Sequence, residues 1–394
     1  MNKLIVDKAQ VEGKKVLLRC DLNVPYDENG EISDTRRIDE SLKTINFLIE
    51  KNAKVIICSH FRRPNGVVDK SMSLVKAASC LSSKIGKEVK LASDVVGESA
   101  KSIVANMNNG DVCMLENLRF EIGEQNNDPE FAKQLASLAD IYVNDAFGTC
   151  HRAHASLVGV PKLLPSYCGF LIKKEVETIS SVVNNPKRPF ISILGGAKVS
   201  DKIGVIENLV DKVDAFIIGG GMTYTFMNAL GYSVGDSICE TSKLSLAKDI
   251  LSLTKEKGVK LLLPIDCKIG KEFSPDTETQ IVSSDKIPDG WQGLDIGPKS
   301  IELFSNELKN AASVVWNGPL GVSEWTAFED GTFSLARLLA NSDAHTIIGG
   351  GDVAAAVNKA GVADKMYHIS TGGGSSLMFL EGKELPGIAA LPNA

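Results

Sequence analysis

Short runs of Val, Ile and Leu, flanked by Gly, Asn, Asp or Pro, alternate along the chain with longer segments whose apolar residues recur every three or four positions. A run of four to eight apolar residues suits a strand buried on both faces, and the 3.6-residue period between runs suits a crossover helix. The alternation confines the chain to α/β architecture with mainly parallel sheets. Ten runs read as strands: those beginning at Lys15, Ala53, Asp111 and Ile141, one around Val158, and five more beginning at Phe190, Ala215, Lys260, Ser313 and His345. A short run, MYHIST, follows them. In IDESLKTINFLIEK, Ile38, Leu42, Ile45 and Ile49 share one helical face.

A length of 394 residues accommodates two such units. The seam falls near residues 165–189, which read as a loop, a helix and a Pro-containing linker. The net charge of −6 gives no general attraction for nucleic acid or an anionic membrane, so any anion site must be a local cluster. No apolar run approaches the roughly 18 residues of a membrane helix, and the N-terminus lacks a signal-peptide core, so a cytoplasmic location is expected. The eight cysteines form no C-x-x-C pair, and reduced, mostly buried thiols are the expectation.

Ligands of open α/β sheets bind beyond the carboxyl ends of the strands. Seven of the nine arginines precede the seam, and several stand where a strand ends or a helix begins: Arg37, Arg63, Arg119 and Arg152, together with His60. Guanidinium groups converging on one edge suit a small, highly anionic substrate, because each binds carboxylate or phosphate in planar bidentate fashion. Asp21 and Asn23, in RCDLNVP, could bond substrate hydroxyl and carboxylate groups; an ordinary turn before Pro25 is the competing reading.

Beyond the seam the dense feature is glycine: GGAK at 195, GGGM at 219, GGGD at 349 and TGGG at 371. FISILGGAKVSDKIGVIENLV reads as strand, turn and helix with Ser200 as N-cap, a phosphate cradle to which Lys198 and Lys202 add ammonium groups. Solvated lysines are the competing reading. The P-loop pattern is absent, and so is a G-x-G-x-x-G after the first strand. Asp352, after IIGGG, suits Mg²⁺ carried on nucleotide phosphates or an ordinary helix N-cap.

Taken together, RCDLNVP, SHFRRPNG, LENLRF, NDAFGTCHRAHAS, LGGAKVSDKI, GGGMTYTF, WNGPLGVSEW, GGGD and STGGGSSLMFLEGKELPG resemble the phosphoglycerate kinase family, in its order and nearly end to end. The resemblance implies two Rossmann-like, doubly wound lobes joined by a hinge helix. Residues 1–170 plus 376–394 would bind 3-phosphoglycerate or 1,3-bisphosphoglycerate, and residues 171–375 ADP or ATP with Mg²⁺. It places Asp21, Asn23, Arg37, His60, Arg63, Arg119 and Arg152 at the triose. It places Lys198 and Lys202 at the transferring phosphate, Glu324 at the ribose and Gly293 at the adenosine. Gly220, Asn317 and Pro319 join the nucleotide site, with Gly350, Gly351, Asp352, Val353 and Gly372, Gly373 and Gly374 at its phosphate end. Asp352 would meet the Mg²⁺.

Val353 stands where the family usually has a hydroxyl residue, Cys267 where an aromatic is common, and Thr223 where a small apolar residue is usual. The implied reaction is reversible acyl-phosphate transfer to ADP by a monomer, with no general base. Arg37, Lys198, Lys202 and the amides of 372–374 would stabilise the transferring group, and closure would occur about the helix holding Glu175 and the Ser370–Thr371 stretch. A dinucleotide-dependent oxidoreductase would need the missing glycine fingerprint. A nucleotide-sensing binding protein is disfavoured by the joint presence of Arg37 and Lys198.

Overall fold

A computed structural model describes the whole chain, residues 1–394. It divides into two compact units, Met1–Glu177 with Glu384–Ala394, and Thr178–Lys383.

The first unit is built on strands β1 (Lys15–Arg19), β2 (Lys54–Cys58), β3 (Val89–Leu91), β4 (Val112–Met114), β5 (Ile141–Asn144) and β6 (Ser166–Cys168). Their order is β3-β4-β2-β1-β5-β6, with every pairing parallel. Successive residues Leu17 and Leu18, or Ile56 and Ile57, are wholly buried, as a sheet covered on both faces requires. Helix Arg36–Glu50 packs Ile38, Ile45 and Leu48 into this core, with Leu42 and Ile49 at its margin.

The run around Val158 is not a strand. Ala155–Gly159 is a π-helical turn in which the His154 carbonyl accepts from the amides of Leu157 and Val158, so those donors are spent locally. The strand that follows β5 is Ser166–Cys168, and the short edge strand Val89–Leu91 escapes a pattern search because Lys90 interrupts it.

In the second unit the strands are β7 (Phe190–Leu194), β8 (Ala215–Ile218), β9 (Ser233–Val234), β10 (Lys260–Leu262), β11 (Asp266–Gly270), β12 (Thr279–Ser283), β13 (Lys286–Ile287), β14 (Gln292–Ile296), β15 (Ser313–Asn317), β16 (His345–Gly349) and β17 (His368–Ile369). The main sheet, β10-β8-β7-β15-β16-β17, is parallel throughout. The run from Lys260 splits at Pro264: its first half is β10, and its continuation β11 centres a separate antiparallel sheet, β12-β11-β14. That sheet carries a small core of its own, in which Cys267 packs with Tyr224, Met227 and Ile269.

The boundaries differ from those expected. Helix Phe170–Asn184 runs across the division, but its start belongs to the first unit: the Phe170 amide donates to Thr44 Oγ1, and those of Leu171 and Ile172 to Asp145. Residues 376–383 stay with the second unit, where Asn208 Nδ2 donates to the Leu380 carbonyl. The return to the first unit begins at Glu384 and is pinned by Asn144 Nδ2, which donates to the Gly387 carbonyl at 2.9 Å.

Candidate functional site

In the first unit the polar residues gather where β1, β2, β4 and β5 end. Arg19, the last residue of β1, is completely buried. Its Nε donates to Ser156 Oγ at 3.0 Å, Nη1 to the Cys20 carbonyl, and Nη2 lies 3.3 Å from His60 Nδ1. Two residues on, buried Asp21 faces Arg37, whose Nη1 lies 3.3 Å from Asp21 Oδ1 and donates to the Asn23 carbonyl at 2.8 Å. The Asn23 side chain accepts from the Arg62 amide at 2.9 Å, which locks the loop after β2 against the loop after β1.

Arg119 follows β4 and is buried; its Nη1 donates to the Arg62 carbonyl at 2.6 Å, and its Nε has no partner. Burial, with Arg19 and Arg152 nearby, lowers its pKa to about 10. Burial first, and then Arg19, Arg119 and Arg37, push His60 well below the usual imidazole range. His154 is held at about 3 by burial and by Arg119, Arg19 and Arg152, and His151 is lowered by burial and Arg152. The histidines here are therefore neutral, and the 3.9 Å approach of His60 to Asp21 is not an ion pair. Four guanidinium groups, Arg19, Arg37, Arg119 and Arg152, meet two carboxylates, Asp21 and Glu124. The imbalance is one that an anion would offset.

Of the residues expected here, Asp21, Asn23, Arg37, His60, Arg119 and Arg152 come together. Arg63, in the loop after β2, is exposed. Arg19, Glu124 and Ser156 were not singled out as site residues. Arg19 hides inside an apolar strand, and nothing local in the sequence marks Glu124 or Ser156 as buried.

The second unit brings its glycines together in two groups. Gly220, with φ +66°, leaves room for the Gly196 backbone: a Cβ there would meet Gly196 N at 2.7 Å and the Pro319 carbonyl at 2.9 Å. Beside this contact opens a cavity of about 430 Å³ lined by Gly220, Gly293, Pro319, Glu324 and Asp352 among the expected residues. Its apolar walls, Tyr224, Ile238 and Phe273, were not anticipated. Such walls suit a flat aromatic ligand. A Cβ on Gly293 would fall 1.9 Å from Tyr224 Oη, so glycine is what admits the tyrosine.

The second group surrounds Asn317. The buried Lys202 ammonium donates to Asn317 Oδ1, and Asn317 Nδ2 donates to the Gly349 carbonyl at 2.9 Å. Burial lowers the Lys202 pKa, with Asp201, Glu381 and Asp352 opposing the shift. Gly373 abuts the Gly350–Gly351 turn, with its Cβ position 3.3 Å from Gly350 Cα. Helices Gly351–Lys359 and Gly373–Leu380 both begin here, so Gly374 and the amides of their first turns stand at one place. Lys198 is exposed.

Expectations for four residues are corrected or sharpened. Ser200 does not cap the helix after β7: the helix is Ile203–Leu209, and Ser200 Oγ donates instead to Glu240 at 2.6 Å. The Val353 side chain is completely buried in the core, so only its backbone can face a ligand. Thr223 is buried with its hydroxyl unpaired. Asp352 is exposed in the first turn of its helix, and no cluster of three His, Cys, Asp or Glu side chains forms a metal cage. One carboxylate fits a hard cation that takes its remaining ligands from phosphate and water.

Paired parallel α/β units, one with an arginine-rich face and one with glycine turns around a buried lysine, define an enzyme class that handles phosphorylated anions. The sequence profile of the phosphoglycerate kinase family matches residues 6–383. Phosphoglycerate kinase of Clostridium tetani is 54% identical over 393 residues, covering 99% of this chain and 98% of its own. That of Clostridium kluyveri is 53% identical over 395 residues, covering 100% and 99%. The structures of the Coxiella burnetii and Pyrococcus horikoshii enzymes superpose with TM-scores of 0.85 and 0.83 at 40% and 32% identity, each covering 98% of both chains. The chain belongs to the phosphoglycerate kinase family.

Proposed function

We propose that the chain transfers the acyl phosphate of 1,3-bisphosphoglycerate reversibly to ADP, with the triose on the arginine face of the first unit and the nucleotide in the glycine-lined cavity of the second. The observation that carries this reading is the uncompensated charge of the first unit, where four guanidinium groups meet two carboxylates. A three-carbon acid bearing phosphate supplies the missing negative charge in a form that guanidinium binds bidentately.

The acceptor or leaving group is a carboxylate, so no proton has to be removed. The work falls to alignment and charge neutralisation of a metaphosphate-like transition state. Arg37 would orient the carboxyl end of the triose while Asp21 and the Asn23 carbonyl hold its guanidinium in place. Lys202, held by Asn317, and exposed Lys198 would meet the transferring phosphoryl group. The amides of Gly372, Gly373 and Gly374 and of Gly350–Val353 would receive the phosphate oxygens, and Glu324 the ribose. Asp352 would hold Mg²⁺ on the nucleotide, where the ion neutralises phosphate charge.

Transfer without a carrier requires the two ligands to meet, so the reading includes closure about the Phe170–Asn184 helix. One chain supplies residues for both ligands, which supports a monomer. Eight free cysteines support a reducing, cytoplasmic setting. A coupled assay for ATP-dependent consumption of 3-phosphoglycerate tests the activity. No turnover by folded, Mg²⁺-supplied protein sinks it.

A further inference from the structure

Beneath the arginine face lies a carboxylate that no ligand can reach. Glu124 is completely buried, and burial raises its pKa above the usual range against the opposing pull of Arg19. Both of its oxygens are engaged by one residue: Oε2 accepts from the Ser156 amide at 2.9 Å, and Oε1 from Ser156 Oγ at 2.6 Å. Because that hydroxyl hydrogen is committed to Glu124, the oxygen is turned to accept from Arg19 Nε at 3.0 Å. The carboxylate therefore sets the serine, and the serine sets the guanidinium.

The consequence reaches a ring nitrogen. Arg19 Nη2 lies 3.3 Å from His60 Nδ1. Guanidinium only donates, so Nδ1 must accept, and a neutral imidazole accepting at Nδ1 carries its proton on Nε2. Asp21 Oδ1, at 3.9 Å from the same Nδ1, is too distant to compete.

We propose that Glu124 is a positioning residue for the triose site, acting through Ser156 and Arg19 to hold His60 as an Nε2–H donor toward the anionic substrate. This rests on the triose binding the arginine face. A neutral N–H donor there adds binding without adding further positive charge to a crowded face. It serves ground state and transition state alike, so it acts on KM rather than kcat.

The test uses full-length wild type, Ser156→Ala and Glu124→Gln. Ser156→Ala removes the hydroxyl link while leaving the buried carboxylate and its bond to the Ser156 amide, and it guards against loss of folding in Glu124→Gln. ¹⁵N NMR of the imidazoles reads the tautomer directly, and initial rates read KM for 3-phosphoglycerate and for ATP. Wild type shows His60 protonated at Nε2. In Ser156→Ala that single tautomer gives way to a mixture, and KM for 3-phosphoglycerate rises roughly tenfold, as loss of one good hydrogen bond requires, with kcat and KM for ATP within twofold. A folded Ser156→Ala protein with the wild-type tautomer, or with unchanged triose KM, overturns the proposal. So does a fall in kcat at constant KM. Absence of triose turnover in wild type would instead overturn the functional reading on which this rests.

Discussion

Arg37 and Asp21 face each other at 3.3 Å across the mouth of the arginine face, with the carboxylate buried and the guanidinium about a third exposed. One end of Arg37 is thus fixed by protein while the rest remains open to a ligand. In the proposed mechanism, replacing Arg37 by Ala removes a preplaced charge from the transition state. The expected result is a fall in kcat of about 10²- to 10³-fold with a smaller rise in triose KM, read by steady-state kinetics. Unchanged kcat would refute the role.

Lys202 depends on Asn317 for its buried ammonium. Burial already lowers its pKa, and Asn317→Ala removes the acceptor that favours the charged form. The alkaline limb of the kcat/KM profile should therefore move to lower pH in Asn317→Ala. Lys202→Arg, which cannot lose its proton, should lack that limb. Identical profiles in all three proteins would show that Lys202 does not titrate in the rate.

Gly293 and Tyr224 share one space. A Cβ at 293 would stand 1.9 Å from Tyr224 Oη and 2.1 Å from the ring carbon bearing it. Gly293→Ala should therefore displace the ring into the cavity proposed for the nucleotide, weaken ADP binding by calorimetry and cost about 1–3 kcal/mol of stability. Retention of both wild-type affinity and stability would mean that the site relaxes freely.

Asp145 is buried at the start of helix Phe170–Asn184, with Oδ1 accepting from Leu171 and Ile172 and Oδ2 unpaired. Burial raises its pKa from 3.8 to about 7. Between pH about 4 and about 7 the native state keeps a proton that the unfolded chain has released. Stability therefore falls as pH rises through that window and levels off above it, by up to roughly 4 kcal/mol from this group. Asp145→Asn preserves the oxygen that accepts both amides and removes the titration. Its denaturant midpoint should fall less steeply than wild type over that range, and an equal slope would assign the effect elsewhere.

Closure is checked by small-angle scattering. The radius of gyration should fall when 3-phosphoglycerate and Mg-nucleotide are added together; an unchanged profile with both ligands bound would remove closure from the mechanism.

The alternation of apolar runs and helical periods made the two parallel sheets legible, because strands buried on both faces must be apolar at every position. The exceptions are instructive. Thr279–Ser283 is mostly polar and exposed, so the antiparallel sheet had no apolar signal, and the Val158 run is an apolar segment whose amides are spent on a local turn. Asp21, Arg37 and His60 stood out because ligands are expected at strand ends and helix starts, a rule that needs only linear order, whereas Asn317 came only with the family resemblance. Arg19, Glu124 and Ser156 required the folded chain. Glu124 and Ser156 are 32 positions apart in sequence yet bonded at 2.6 Å. The amino-acid order alone was enough for the two parallel sheets and for the segments that carry charge and glycine, since periodicity and chain order are local properties. Only the tertiary structure decided which charges are buried together and which proton a histidine keeps, because desolvation and hydrogen bonding depend on neighbours that the chain brings from far away.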